Sequence, residues 1–210
     1  MIVRIEPYQA TLDVIQDRLT EMGKGSSMRE VLKKAINDVS AQTKESLHQK
    51  TREEYTIKRS AFKKSDVKRE AAKKNKLESM IRVAGKMLGL RAGFKTKKNS
   101  KKKAAQAMVL TKSAMKKLEI TSGGRSYKAF VASMKNVSKS GAVSSHTGIF
   151  RRIPGKYMKN YPNREKIGEI MAISKAQAAG MVYVRNSMWA EIHNEMSSQL
   201  LKHMHAVIGG

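Results

Sequence analysis

The chain has 210 residues, with 43 Lys+Arg against 17 Asp+Glu, a formal charge of +26 and 40% hydrophobic residues. That length and apolar content suffice for a buried core, while the charge marks a protein that works beside negative partners. Cysteine is absent, which excludes disulfide scaffolds and thiolate metal sites, and no stretch reaches the ~18 apolar residues of a membrane span.

Ile2 to Ile5 reads as a short strand closed by Pro7, and a helix follows through Leu12, Ile15 and Leu19 to a stop at Gly23. After the Gly23/Gly25 break, Ser27 and Glu30 have capping-box spacing. They predict a second helix through Val31, Leu32, Ala35, Ile36, Val39 and Leu47, with Lys33, Lys34 and Asp38 on the opposite side. Lys33, Lys34, Lys63 and Lys64 read as a solvated surface. Ser65 to Lys74 is predicted as a short polar helix capped near Ser65 or Asp66.

From Ser79 a two-residue alternation predicts a strand ending at Leu88-Gly89-Leu90, and Ala107 to Leu110 predicts another. Between them lies the densest basic tract. Arg91, Lys95, Lys97, Lys98, Lys101, Lys102 and Lys103 fall in a stretch without a single acid from Arg82 to Lys117. Like charges so close resist burial, so an exposed loop facing DNA or an acidic partner is expected here. The tract is Lys-dominated, which suits backbone electrostatics better than the reading of base edges, where bidentate Arg is the commoner tool.

Ser126 to Met134 and Gly148 to Ile153 read as paired strands, with residues 135–147 forming a mobile hairpin loop between them and Pro154-Gly155 ending the second strand. The clearest helix comes last: Met181, Val184, Met188, Ile192, Met196, Leu200, Met204 and Val207 step three or four residues at a time up to Gly209-Gly210. Methionine, of which the chain has fourteen, is heavily used on this face and makes it adaptable, so Met188, Trp189, Met196 and Met204 are candidates for a subunit interface as well as for the core. The whole reads as one α+β domain, long helices on a small antiparallel sheet with an extended basic loop and a long C-terminal helix.

No catalytic signature is present: there is no nucleophile elbow, no Walker loop and no His-Glu-x-x-His. His203 and His205 point to different helix faces, and His193 lies too far up the same helix to share a metal with both, so no metal or cofactor is expected. Glu53, Glu54, Glu165, Glu169, Glu191 and Glu195 each have basic neighbours, and salt bridging accounts for them. Aromatic residues are 5% of the chain, too few for the usual single-strand stacking platform.

Several stretches resemble the minor tail protein Z family of tailed bacteriophages, also called tail completion proteins. They are Lys33 to Val39, Thr43-Lys44, Tyr55 to Lys58, Lys128 to Val131, Gly148 to Arg152 and Ile167 to Ser174, and the likeness spans most of residues 28 to 208. The segment 91–126 matches least well and reads as a basic insertion. The resemblance implies an α+β fold and a homo-oligomeric ring, a hexamer, at the head-proximal end of the tail. It further implies tail terminator and neck proteins as partners, with the DNA end seated nearby, in a virion assembled in the host cytoplasm. Six copies would exceed severalfold the ~25 phosphate charges of duplex that a ~43 Å domain encloses, so most of the excess must face acidic neighbours. A protein of another class, one that coats nucleic acid nonspecifically by charge, fits the same composition.

Overall fold

The computed structural model describes residues 1–7, 9–21, 27–99, 103–137 and 143–208. In chain order these form β1 (Ile2–Ile5), α1 (Gln9–Glu21), α2 (Met28–Glu54), a 3-10 turn (Lys64–Asp66), β2 (Val67–Glu70), β3 (Ser79–Val83), β4 (Met87–Gly89) and the single turn α3 (Leu90–Gly93). Then come β5 (Lys95–Lys97), β6 (Gln106–Met108), β7 (Lys116–Lys117), β8 (Glu119–Ser122), β9 (Arg125–Lys128) and β10 (Phe130–Val137). The chain ends with β11 (Val143–Met158), β12 (Tyr161–Glu169), β13 (Met171–Ser174), α4 (Lys175–Gly180) and α5 (Val182–Ile208). The fold class is α+β, every strand pair being antiparallel. No helix among the described residues is long and apolar enough to cross a membrane. The helix stops expected at Gly23 and Gly209-Gly210 lie outside the described residues.

The chain divides into two compact units. The first comprises Met1–Thr51, Lys63–Gly85 and Ala176–Gly210, and the second Arg52–Phe62 and Lys86–Lys175.

In the first unit β1, β3 and β2 form a sheet with β3 at its centre, and Ile81 on β3 is fully buried. The helices α2 and α5 run antiparallel, as three cross-links in descending order show. His203 Nε2 meets Asp38 at 2.8 Å, Ser46 donates to Glu191 at 2.7 Å, and Lys50 Nζ reaches the Ser187 carbonyl at 3.2 Å. Apolar residues at helical spacing, Val31, Leu32, Ala35, Ile36, Val39 and Leu47 on α2 and Val184, Met188, Ile192, Met196, Leu200 and Met204 on α5, form the core. Glu30, placed by spacing at the helix start, pairs forward with Lys33 at 2.7 Å. Lys33 and Lys64, taken from the sequence as solvated, thus carry partners, since Lys64 pairs with Glu45.

The polar helix predicted for Ser65 to Lys74 is instead the 3-10 turn and strand β2. Val67 is buried opposite Val83, and ladder pairing with β3 outweighs the weak helical preference of a short polar segment. Similarly, the long strand predicted from Ser79 breaks after Val83, and β4 pairs with β13 in another sheet.

In the second unit β11 is sixteen residues long and changes partners halfway. Its first half pairs with β10 from Val137↔Val143 to Phe130↔Phe150, and its second half pairs with β12 from Phe150↔Glu169 outward. The pairing of Val131 with Ile149 matches the two strands read from the sequence, but Ser126 to Lys128, read as the start of the first of them, belong to β9 and pair with β8. Residues 135–137 and 143–147, expected in a loop, are strand, because the ladder is made by backbone groups and needs no apolar side chains; residues 138–142 lie outside the described residues. Nor does Pro154-Gly155 end β11. Gly155 takes φ +69 and the register shifts between Arg152 and Tyr157, so the pair forms a bulge through which the strand continues. The described residues of 91–126, read as a basic insertion or loop, include the short strands β5, β6 and β7 and the start of β8-β9.

Candidate polyanion-binding face

The sheet β5-β6-β7 gives the basic tract its geometry. Register pairs Lys97 with Gln106 and Gln106 with Lys117, and Lys95 with Met108. Side chains alternate along a strand, so Lys95, Lys97 and Lys117 share one face. On that face neighbouring lysines stand ~7 Å apart along β5 and about 10 Å apart across the two intervening ladder spacings. The opposite side carries Thr96, half-buried, and Ala107, buried, which explains why this edge of the unit holds together despite its charge.

Hydrogen bonds tie the sheet to segment 52–62. Thr56 N–H donates to the Val109 carbonyl at 2.8 Å, the Thr56 hydroxyl donates to the Met108 carbonyl, and Lys58 N–H donates to the Gly93 carbonyl at 2.8 Å. Phe94, between α3 and β5, is fully buried. After the run, Ala104 and Ala105 are buried; the Ala105 N–H donates to the Ala129 carbonyl and its carbonyl accepts from the Leu118 N–H, 2.9 Å each. Two apolar anchors thus pin both ends of a segment that its own repulsion would otherwise spread.

Of the residues singled out from sequence, Lys95, Lys97, Lys98 and Lys103 are exposed, and Arg91 is half-buried on α3, its carbonyl accepting a bond from Lys58 Nζ. Lys101 and Lys102 lie outside the described residues. Among the described residues no carboxylate pairs with Lys95, Lys97, Lys98, Lys103, Lys116 or Lys117. Lys117 joins the face only through pairing with β6, a relation its distance in sequence concealed.

The interface candidates on α5 part company. Met188, Met196 and Met204 are 3%, 7% and 4% exposed and belong to the core, whereas Trp189 is 51% exposed. One side of the helix faces α2 and the other solvent, so adjacent residues take opposite roles. Met204 also floors an apolar groove in which Val14 of α1 and Leu201 are exposed.

Of the carboxylates assigned to salt bridges from the sequence, Glu191 pairs with a lysine, whereas Glu165 is held by a tyrosine hydroxyl and Glu169 by a histidine ring. Glu191 accepts from Ser46 and pairs with Lys50 at 2.5 Å; burial raises its carboxyl's affinity for a proton, but these two bonds more than offset it and leave the group below its ordinary range. Glu165 accepts the Tyr127 hydroxyl at 2.8 Å, which pushes the phenol up. Glu169 meets His146 Nε2 at 2.8 Å. Among the described residues no group of three or more His, Asp or Glu side chains is placed to hold a metal ion. What this surface offers chemically is fixed, unneutralised positive charge. No family model, no curated protein and no solved structure matches the chain.

Proposed function

We propose that this chain is a non-enzymatic structural protein of a tailed-phage particle, completing the tail as a ring and using its lysine face to hold DNA or an acidic neighbour. The observation that carries the charge part of this reading is the row of Lys95, Lys97 and Lys117 on one exposed strand face without carboxylate partners among the described residues. Such a row favours polyphosphate or clustered carboxylates over small ligands, because binding then releases several counterions at once. The tail-completion setting rests on the resemblance of residues 28 to 208, and an α+β chain with two long helices agrees with what that resemblance implies.

A second reading, a free protein that coats nucleic acid by charge, draws on the same face. Assembly state separates the two. Size-exclusion chromatography with light scattering, alongside imaging of intact particles, is expected to show a closed ring and the chain at the head-proximal end of the tail. A monomer absent from particles, with duplex affinity falling steeply as salt rises, would select the second reading.

A further inference from the structure

The second unit carries another cationic element that composition concealed. Beyond the row Phe130–Phe150–Glu169, β10 no longer pairs with β11, and β11-β12 continues as a two-stranded ribbon from Arg151 to Gly168. Gly155 to Arg164 are all exposed, including Tyr157 at 58% and Tyr161 at 56%. From Arg151 to Arg164 the ribbon holds Arg151, Arg152, Lys156, Lys159 and Arg164 and no acid at all. The one carboxylate between Arg151 and Gly168, Glu165, is engaged by Tyr127. Arg164 stacks 5.3 Å over the Tyr161 ring, which holds both side chains at the tip.

From this we infer that the β11-β12 ribbon is a duplex-DNA arm that enters the major groove. Two strands ~4.8 Å apart with their side chains suit a groove about 12 Å wide and are too broad for one of about 6 Å. Lys156, Lys159 and Arg164 then face phosphates on either rim, and the Tyr157 and Tyr161 hydroxyls donate to backbone oxygens while their rings meet thymine methyls. An acidic protein pairing along the strand edge fits less well. Pro154 and Pro162 remove backbone donors from the ribbon, and its lysines guard the edges, so it is built for side-chain contacts. The arm is a different element from the β5-β6-β7 face and does not depend on the ring proposed above.

The test uses the full chain, a labelled mixed-sequence duplex of about 20 base pairs and a salt series. Replacing Lys156, Lys159 and Arg164 together by Gln is expected to lower the slope of log affinity against log salt by about 2 to 3, since each lost phosphate contact removes ~0.9. In the wild-type complex guanine N7 is shielded from dimethyl sulfate, and the triple variant restores methylation. Circular dichroism checks that the variant folds. Independently, the cysteine-free chain permits a single Met158→Cys carrying an environment-sensitive dye, whose emission is expected to change when duplex is added. An unchanged slope, N7 methylated as in free duplex, or silent dye overturns the inference, as does a triple variant that loses binding to poly-glutamate while keeping its duplex affinity. A Lys95/Lys97/Lys117 variant run in parallel shows whether the other face, and not the arm, carries the affinity.

Discussion

Glu169 sits between two glycines, and that arrangement makes a sharp prediction. Residues 146, 148 and 150 alternate onto one face of β11, and Glu169, opposite Phe150, lays its side chain along that face to reach His146. A Cβ at Gly148 would stand 2.7 Å from Glu169 Oε1 and 3.0 Å from Phe150 Cε2, and one at Gly89 would stand 2.7 Å from the same oxygen. Gly148→Ala must therefore swing the carboxylate away from His146. The lost hydrogen bond costs about 1 kcal/mol and the displaced ring edge about another. Lower entropy of the unfolded chain returns about 0.7 kcal/mol, which leaves a net loss near 1 kcal/mol and a Tm lower by about 2 to 4 °C. Urea denaturation of wild type, Gly148→Ala, Glu169→Ala and the double variant measures it. With Glu169 truncated, Gly148→Ala meets only the Phe150 edge, so the two changes should couple by about 1 kcal/mol. Additive effects would refute the reasoning, because they would show that the methyl and the carboxylate do not compete for one space.

Further outcomes follow from local geometry. Met188→Ala should destabilise by about 2 to 3 kcal/mol and its neighbour Trp189→Ala by under about 1 kcal/mol, measured by thermal unfolding, since only the first empties a packed site. Glu191 has its carboxyl lowered in the folded chain, so its contribution is full above its ordinary value of 4.5 and is lost as pH falls through the lower folded value. Glu191→Gln should therefore be less stable than wild type at neutral pH by up to about 1 kcal/mol, with the gap closing in acid. In the β8-β9 hairpin Gly123 and Gly124 have φ +55 and +72 with open space where a Cβ would lie. Gly124→Ala should cost about 1 kcal/mol and Gly124→Asn less, read by amide exchange in the hairpin, because the strain is in the backbone and not in contacts.

Different parts of the fold were legible to different degrees. The long helices could be read because Val31 through Leu47 and Val184 through Met204 repeat at helical spacing over many turns and burial follows that spacing, whereas Met181, read as the first residue of the last stripe, precedes the helix and is exposed. Short segments misled. Ser65 to Lys74 lacks enough periodicity to resist recruitment by β3, and Pro154-Gly155 marks a bulge as readily as an end when a partner strand is present. The tract Lys95 to Lys103 was visible as charge, yet its geometry was not, because Lys117 reaches Lys97's face only through Gln106. Low aromatic content hid the ribbon, since Tyr157 and Tyr161 count for little in a composition and much when they share a tip.

The amino-acid sequence alone determined the excess of positive charge, the α+β class and the amphipathic stripes of both long helices, because these depend on composition and on spacings of three or four residues. Tertiary structure decided which lysines stand in one row, which methionines are core, and where β11 exchanges β10 for β12. Each of those outcomes turns on register between segments distant in the chain, and a shift of one residue in any ladder would reverse the face on which every side chain of that strand lies.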